Sequence, residues 1–375
     1  MDFKYYLPVN LIFGRGRLSE VGREAAKYGK CAMIVAGGSS KKSGALDKVR
    51  NILENERVES VVFDRVTPNP LTTTAEEGAA IAKNKGCDLV IGLGGGSVLD
   101  CAKAIAFLVK NNRDINDFIY NRYHGRGALP MIAIPTTCGT GSEGNSFAVL
   151  TNPENGDKKS LRRNEIIPTV SIIDPELMQT MPKSLLACVG FDALCHSMEA
   201  FLSNSGQSIT EYLAYEGMKI ITDDLVNVYN GYDDDKLWDR LAWASTIGGM
   251  VINTAGVTLP HAMEHPLSGL KNITHGRGLA ALTPVITEAS TVYAPAKYAA
   301  ISKLLRGRDE NDCADALRNF LDKIGLNVSL SDEGVTEKDI PWLTENCFKV
   351  SAASIANHPA EFGSDTIAAL YERAL

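Results

Sequence analysis

Histidines are concentrated in one short stretch of this sequence. Three of the six histidines lie in HAMEHPLSGLKNITHG, residues 261–276. His261 and His265 are four residues apart, and the same spacing separates Asp192 from His196 in GFDALCHSMEAF. Residues four apart on a helix lie on one face, so each pair can direct two side chains at one point.

These side chains are of the types that bind transition metals. One carboxylate with several imidazoles fits Fe(II) or Zn(II), whereas Mg(II) and Ca(II) prefer oxygen ligands. A single histidine on an apolar helix is more often a packing residue. Two spaced pairs, with His275 just before Gly276 at a predicted helix start, favour a metal site instead. Spacing does not decide which of His261, His265 and His275 bind the ion.

A glycine-rich turn predicts a second site. The segment DLVIGLGGGSVLDCAKAIAFLV reads as a strand, a turn at Gly94, Gly95 and Gly96, and a helix. Glycines let a ligand approach the backbone, and a helix start offers free N–H groups and a positive dipole end, which together suit a phosphate. The turn matches neither G-x-G-x-x-G nor the P-loop, and three glycines alone also fit an ordinary tight turn.

The surroundings of this turn favour the phosphate interpretation. Asp100 and Lys103 fall one and two turns into the predicted helix, and PTTCGTGSE, residues 135–143, is another loop of small residues after the next predicted strand. In a parallel sheet both loops emerge at the carboxyl edge, where ligands bind. The two loops together therefore predict a ligand site at that edge.

The two halves of the chain differ in their apolar periodicity. Between about residues 30 and 175, helical stretches alternate with the β-rich runs CAMIVA (31–36), VESVVF (58–63), DLVIGL (88–93), PMIAIP (130–135) and TVSIID (169–174). This alternation predicts a parallel sheet flanked by helices. After Pro182, apolar residues recur at spacings of three and four, as in helices. We expect an α/β N-terminal domain over residues 1–180 and an all-α C-terminal domain over residues 181–375.

The composition excludes several classes of protein. The 375 residues are 45% hydrophobic and carry a formal net charge of −7, which argues against a nucleic-acid surface or an anchor on anionic membranes. The eight cysteines are scattered without a C-x-x-C motif, as expected for reduced thiols in a cytosol. Neither a signal peptide nor a membrane span is predicted. We expect a cytoplasmic protein without nucleic-acid or membrane partners.

Taken together, five motifs resemble those of the iron-dependent (group III) alcohol dehydrogenases. In that family's order and spacing they are PNP (68–70), GGGSVLDCAK (94–103), PTTCGTGSE (135–143), GFDALCHSMEA (190–200) and HAMEHPLSGLKNITHG (261–276). The phrases AGGSSKKSG (36–44) and HPLSGLKNITHGRGLAAL (265–282) are most similar to the butanol-dehydrogenase-like branch. The resemblance covers nearly the whole chain. It implies a dinucleotide-binding domain, a helical metal-binding catalytic domain in the fold shared with dehydroquinate synthase, and NAD(P)-linked interconversion of an alcohol and an aldehyde or ketone.

The resemblance also implies roles for single residues. The ligands of one divalent ion, Fe(II) in preference to Zn(II), would be Asp192, His196, His261 and His275. His265 would face the substrate as a proton relay, although a packing role fits it nearly as well.

A nicotinamide-side lysine is expected from the same resemblance. Many family members carry a lysine ten residues before a proline, and Lys158 stands ten before Pro168, with Lys159 as an alternative. Lys158 is therefore expected to be a catalytic as well as a cofactor-binding residue. With the glycine turn, the cofactor-binding residues are then expected to be Gly37, Gly38, Ser39, Lys41, Lys42, Asn69, Gly94, Gly95, Gly96, Ser97, Asp100, Thr136, Thr137, Thr140, Asn145 and Lys158.

One departure from the family pattern bears on the choice of cofactor. Many NAD-preferring members end the strand that matches CAMIVA with an aspartate, which repels a 2′-phosphate. This sequence has Gly37, Gly38 and Ser39 there, with Lys41 and Lys42 close behind. Without the repelling carboxylate and with two nearby lysines, we expect NADP(H) to be favoured over NAD(H).

Other features leave alternatives open. Ser268 stands where many members have glycine, near the substrate side, so that alcohols and aldehydes, diols and hydroxy acids all remain candidate substrates. A lyase of the dehydroquinate-synthase type needs many Lys and Arg residues, in which residues 185–300 are poor. A non-catalytic nucleotide-binding protein is disfavoured by the complete set of four candidate ligands. Analogy with the family suggests a homodimer.

Overall fold

The computed structural model of the chain describes residues 3–232 and 234–375. The strands are β1 Asn10–Phe13, β2 Cys31–Ala36, β3 Glu59–Phe63, β4 Leu89–Gly94, β5 Met131–Pro135, β6 Phe147–Thr151, β7 Lys158–Arg162 and β8 Val170–Ile173. The helices are α1 Val21–Tyr28, α2 Gly38–Lys42, α3 Ala45–Asn55, α4 Thr72–Asn84, α5 Gly96–Lys110, α6 Ile115–Ile119, α7 Lys183–Leu202, α8 Ser208–Tyr229, α9 Asp235–Ala255, α10 Leu259–Lys271, α11 His275–Ser290, α12 Pro295–Leu304, α13 Cys313–Lys323, α14 Ile340–Ala356 and α15 Ser364–Ala374.

Six strands form a parallel sheet in the order β1-β8-β5-β4-β2-β3. Its central strands are apolar and buried on both faces because helices cover each side, as in other parallel sheets. The strands β4 and β5 are neighbours, so the loops that follow them leave the same carboxyl edge side by side. The predicted α/β sheet followed by a helical region is confirmed, and the five predicted strands are present.

Three strands were not predicted from the sequence. Strand β1 has only four residues and pairs with β8 at the edge of the sheet. Strands β6 and β7 form a separate antiparallel hairpin that pairs Phe147 with Arg162 and Thr151 with Lys158. The β7 sequence KKSLR is mostly polar, so no apolar alternation marks it. This hairpin carries several side chains into the cleft described below.

The helical half packs around α7. Residues of α7, α8 and α9 form its largest apolar core, joined by parts of α12 and α13. By length and composition α7 could cross a membrane, but 83% of its most apolar window is buried inside the fold. Its apolar character is therefore explained by its central position among the other helices.

Candidate metal centre and cleft

Helix α7 supplies Asp192 and His196, two ionisable side chains that the sequence predicts as metal ligands, from inside the protein core. Asp192 and His196 are 3% and 5% exposed, although the rest of the helix is almost entirely apolar. Burying a carboxylate costs free energy unless charges or hydrogen bonds compensate it. Such a pair on an apolar helix therefore indicates a specific role for both side chains.

The other three candidate histidines, His261, His265 and His275, come from α10 and α11, which a three-residue turn connects. Asn272 ends α10 in the left-handed conformation, with φ 53°, and α11 begins at His275. Asparagine tolerates this conformation better than most residues do. Gly276 follows, and a Cβ at that position would overlap the backbone of Cys188 in α7. The absence of a side chain there allows the start of α11 to pack directly against α7.

Three imidazole nitrogens surround one carboxylate oxygen. The distance from Asp192 Oδ1 is 3.3 Å to His261 Nε2, 3.5 Å to His275 Nε2 and 3.6 Å to His196 Nε2. The ligand atoms of Asp192, His261 and His275 all lie within 4.8 Å of one another. Asp192 Oδ1 and His261 Nε2 are buried without a hydrogen-bond partner in the described part of the chain. A divalent ion between these four atoms would satisfy both, so the side chains fit the expected metal.

His265 lies outside this cluster. Its ring centroid is 6.2 Å from that of His261 and 6.1 Å from that of His275. The side chain nevertheless lines the same cavity. The structure thus separates the three histidines of residues 261–276 into two that face Asp192 and one beside them.

The charges of the cluster are strongly coupled. Burial alone would raise the pKa of Asp192, but the three imidazoles, His196 foremost, hold it below its usual value. Burial lowers the pKa of His196 to about 4. Burial would lower the pKa of His261 too, but Glu199 and Asp192 outweigh it and raise the pKa to about 10. Asp192 is therefore ionised and His196 neutral near pH 7, whereas His261 carries a proton that a metal ion would have to displace.

Two buried glutamates lie behind the histidines, and both were missed by the sequence analysis. Glu199 Oε1 is 2.6 Å from His261 Nδ1, and Oε2 of the same carboxylate accepts a hydrogen bond of 2.6 Å from the backbone N–H of Thr258. Glu264 Oε2 lies against His275 Nδ1. A carboxylate on Nδ1 leaves Nε2 free for a metal and fixes the ring. The available signal was spacing, since each glutamate follows a histidine by three residues on its helix.

The cluster opens into a cavity of about 130 Å³ between the sheet edge and the helices. The predicted site residues that line it are Asn69, Gly96, Ser97, Asp100, Thr140, Asn145, Lys158, Asp192, His196, His261, His265 and His275. The predicted residues that do not line it are Gly37, Gly38, Ser39, Lys41, Lys42, Gly94, Gly95, Thr136 and Thr137. These others lie within or just after β2, β4 and β5, along the same carboxyl edge.

The two predicted loops meet at this edge. The backbone N–H of Thr136 donates to Gly94 O at 3.0 Å, and a Cβ at Gly96 would overlap the side chain of Thr140. Helix α5 begins at Gly96, and its N-cap Gly95 provides no side-chain cap for the first N–H groups. Those groups remain available to an anion at the positive end of the helix.

Two residues that were expected to bind the cofactor, Asp100 and Asn145, form hydrogen bonds within the protein. Asp100 accepts hydrogen bonds from Ser142 Oγ at 2.6 Å and from the N–H of Val149 at 2.9 Å. The fully buried Lys103 donates to Asn145 Oδ1 at 2.9 Å, and burial lowers the pKa of this lysine to about 8. Asp100, Lys103 and Asn145 therefore hold the hairpin against α5, besides any contact with a ligand.

The structure distinguishes the two candidate lysines. Lys158 Nζ points into the cleft, 3.1 Å from Asn69 Oδ1 and 3.5 Å from Glu264 Oε2. Lys159 Nζ instead donates to the backbone oxygen of Val350 at 2.6 Å. Neighbours on a strand point to opposite faces, so only one of the two can enter the cleft.

The structure bears on two further expectations from the sequence: the contacts of Lys41 and Lys42 with the cofactor, and the effect of Ser268 on the pocket. Lys41 forms an ion pair with Asp64, which follows β3 next to the end of β2, while Lys42 is exposed. Ser268 does not line the cavity, because its hydroxyl is buried and donates to Glu264 Oε1. Any effect of Ser268 on pocket shape is therefore indirect.

In comparisons with known proteins, both halves of the chain match models of the same family. Residues 8–175 match the family model described as iron-containing alcohol dehydrogenase. Residues 186–375 match the model for the C-terminal region of the Fe-containing alcohol dehydrogenase family. The two matches together cover nearly the whole chain.

Individual relatives agree with these matches. The chain is 32% identical to alcohol dehydrogenase 4 of Schizosaccharomyces pombe, over 99% of this chain and 89% of the relative. It is 31% identical to NADH-dependent butanol dehydrogenase B of Clostridium acetobutylicum, over 95% of each chain. The crystal structure of an archaeal halo-thermophilic alcohol dehydrogenase from a Red Sea brine pool superposes with a TM-score of 0.95 at 32% identity, covering 100% of this chain and 99% of that one.

Proposed function

Since the chain belongs to the iron-containing alcohol dehydrogenase family, we propose that it interconverts a small alcohol and its aldehyde with NAD(P)(H) in the cleft described above. The main support is the convergence of Asp192 Oδ1 with three imidazole nitrogens in a cavity that also contains Lys158 and the start of α5. A metal cluster and an anion-binding helix start in one cleft suit hydride transfer to or from a substrate held at the metal.

The metal would be held by Asp192, His196, His261 and His275, and we propose Fe(II) in preference to Zn(II). When bound, the ion supplies a Lewis acid for the substrate oxygen. Glu199 and Glu264 hold the Nδ1 side of two of these ligands and so direct the Nε2 atoms inwards.

The dinucleotide would lie along the carboxyl edge of the sheet. Its phosphates would bind the uncapped N–H groups at the start of α5, and its nicotinamide, which carries the hydride, would lie near Lys158 and Asn69. His265 lines the same cavity, where burial and the charge of Lys158 lower the pKa of its ring well below the usual value. We assign His265 the role of a proton relay: one nitrogen of its neutral imidazole accepts the alcohol proton while the other nitrogen gives up its proton, because the lowered pKa disfavours a lasting imidazolium.

The substrate side of the cavity favours short aliphatic compounds. Phe147 and Val149 project from one face of β6, and Ile252 of α9 joins them in the cavity wall. Lys158 is the one lysine or arginine among the described lining residues, and Glu264 partly neutralises it. This wall matches an apolar tail better than a second hydroxyl or a carboxylate, and it lacks the cations that a dehydroquinate-synthase-type lyase would need.

For the cofactor we propose a preference for NADP(H), supported by the end of β2. Gly37, Gly38 and Ser39 place no carboxylate where a 2′-phosphate would be repelled. Lys41 is already paired with Asp64, so the exposed Lys42 is the better candidate for a contact with the phosphate.

The test is a reductase assay on protein reconstituted with Fe(II) or Zn(II). We expect butyraldehyde-dependent oxidation of NADPH, slower oxidation of NADH, and poorer turnover with 3-hydroxypropionaldehyde and succinic semialdehyde. A metal-loaded protein that oxidises neither cofactor with any of these aldehydes would contradict the proposal. Homodimer formation and a cytoplasmic location remain predictions, to be checked by analytical ultracentrifugation and cell fractionation.

A further inference from the structure

Glu264 is a carboxylate buried where the two halves of the cleft meet. Its side chain is 0% exposed. Its Oε2 lies 3.5 Å from Lys158 Nζ and also lies against His275 Nδ1, while Oε1 accepts the hydroxyl of Ser268. One carboxylate therefore contacts a candidate metal ligand and the lysine of the opposite wall at the same time.

The contacts of Glu264 belong to a larger network across the cleft. Lys158 is bonded to Asn69 of the sheet half at 3.1 Å. Asn69 Nδ2 in turn donates to Asn272 Oδ1 at 2.9 Å and to Ile273 O at 3.2 Å, in the turn that leads to His275. Two routes thus join the sheet half to the metal-binding helices, and both pass through Lys158 or its partner Asn69.

The fold makes room for this carboxylate and compensates its charge. A Cβ at Gly278 would lie only 2.9 Å from Glu264 Cγ, so the glycine leaves the space that the side chain occupies. A buried carboxylate is tolerated only when it is paired, and removing its partner leaves an uncompensated charge. Lys158 consequently depends on Glu264 for its position, whereas Glu264 is also held by Ser268 and His275.

We propose that Glu264 is a positioning residue that couples metal binding to dinucleotide binding, by orienting His275 through Nδ1 and holding Lys158 in the cleft. The inference rests on the proposed function, since it takes His275 as a metal ligand and Lys158 as facing the dinucleotide. Loss of the carboxylate frees the His275 ring to rotate and leaves Lys158 an unpaired buried cation, which turns away from the dinucleotide towards solvent.

Glu199 provides a matched comparison within the same chain. It contacts His261 Nδ1 as Glu264 contacts His275, and it is equally buried. Its carboxylate also accepts hydrogen bonds from the backbone N–H and hydroxyl of Thr258 and from the backbone N–H of His261, all on its own side of the cleft. Substituting Glu199 should therefore lower the affinity for the metal alone, whereas substituting Glu264 should lower the affinities for both the metal and the dinucleotide.

The experiment measures two affinities on the full-length chain for Glu199→Gln and Glu264→Gln. The zinc dissociation constant is obtained by competition with a chelator, and the NADPH dissociation constant by fluorescence of the zinc-loaded protein. Both variants should lose about 10- to 100-fold in zinc affinity, as expected when the partner of a ligand is removed. Only Glu264→Gln should also weaken NADPH, by about threefold or more. Unchanged or tighter NADPH binding in Glu264→Gln, or equal weakening in both variants, would overturn the coupling.

A second pair of single variants keeps the test decisive if Glu264→Gln folds poorly. Lys158→Met leaves all four proposed metal ligands in place but removes the cation that pairs with Glu264. The uncompensated negative charge beside His275 should strengthen zinc binding by about threefold. Ser268→Ala, which removes one hydrogen bond from the same carboxylate, should weaken zinc binding. Zinc affinities unchanged in both variants would refute the role of Glu264. If the wild-type chain binds neither zinc nor NADPH, the proposed function itself fails; selective failure of the variants removes only this inference.

Discussion

The pair of variants His261→Ala and His265→Ala separates a proposed metal ligand from its neighbour. His261 is 3% exposed, with Nε2 facing Asp192 and Nδ1 on Glu199. Removing the partner of a ligand costs about 10- to 100-fold in metal affinity, so removing the ligand itself should cost more than about 100-fold. His265 lies outside the cluster, so His265→Ala should retain the metal and lose turnover.

The fold should survive either substitution. In His261→Ala the buried carboxylate of Glu199 loses its charged partner at a cost of about 3–5 kcal/mol, but it keeps the two donors of Thr258. That loss is smaller than the typical stability of about 5–15 kcal/mol.

The assay is metal content after dialysis, by plasma mass spectrometry, with circular dichroism as the control for folding. We expect about one ion per chain in the wild type and in His265→Ala, and almost none in folded His261→Ala. Retention of metal by His261→Ala, or its loss from His265→Ala, would refute the assignment of ligands made from the geometry.

Three further outcomes are expected. Gly96→Ala should weaken NADPH binding by about 1–3 kcal/mol, because the new methyl group overlaps Thr140 and displaces the anion-binding helix start; isothermal titration would show unchanged affinity if the assignment is wrong. Lys42→Ala should weaken NADPH binding about two- to fivefold, the contribution of an exposed ion pair, and leave NADH binding unaffected. Lys41→Ala should have a smaller effect, because Lys41 is paired with Asp64. Equal losses of affinity for both cofactors would contradict the proposed contact with the 2′-phosphate. Lys103→Met should lower the free energy of unfolding by about 2–4 kcal/mol, because the backbone oxygens that it satisfies become unpaired, and a denaturant titration with no such loss would contradict this.

Much of the sheet could be predicted because its strands are apolar and alternate with helices. The two loops at the ends of β4 and β5 followed from the same pattern, since neighbouring parallel strands end at one edge. The hairpin β6–β7 could not be predicted in this way. Its outer strand is polar, and it is stabilised by contacts with distant side chains such as Asp100 and Lys103 rather than by its own periodicity.

The site shows the same division between local and long-range information. The four-residue spacing predicted that Asp192 and His196 lie on one helix face. The same spacing could not exclude His265 as a metal ligand, because His265 shares a helix face with His261. Only the turn at Asn272 and the packing of α11 on α7 decide which rings face Asp192. The choice between Lys158 and Lys159 likewise required the orientation of β7.

The central claim is a metal-dependent, dinucleotide-linked reaction of an alcohol and an aldehyde. The most direct test measures metal content and butyraldehyde-dependent oxidation of NADPH and NADH on one freshly purified sample, before and after chelation. We predict about one ion per chain and activity that disappears with the chelator and returns with Fe(II) or Zn(II). Full activity in metal-free protein, or a metal-bearing protein that oxidises neither cofactor, would contradict the claim.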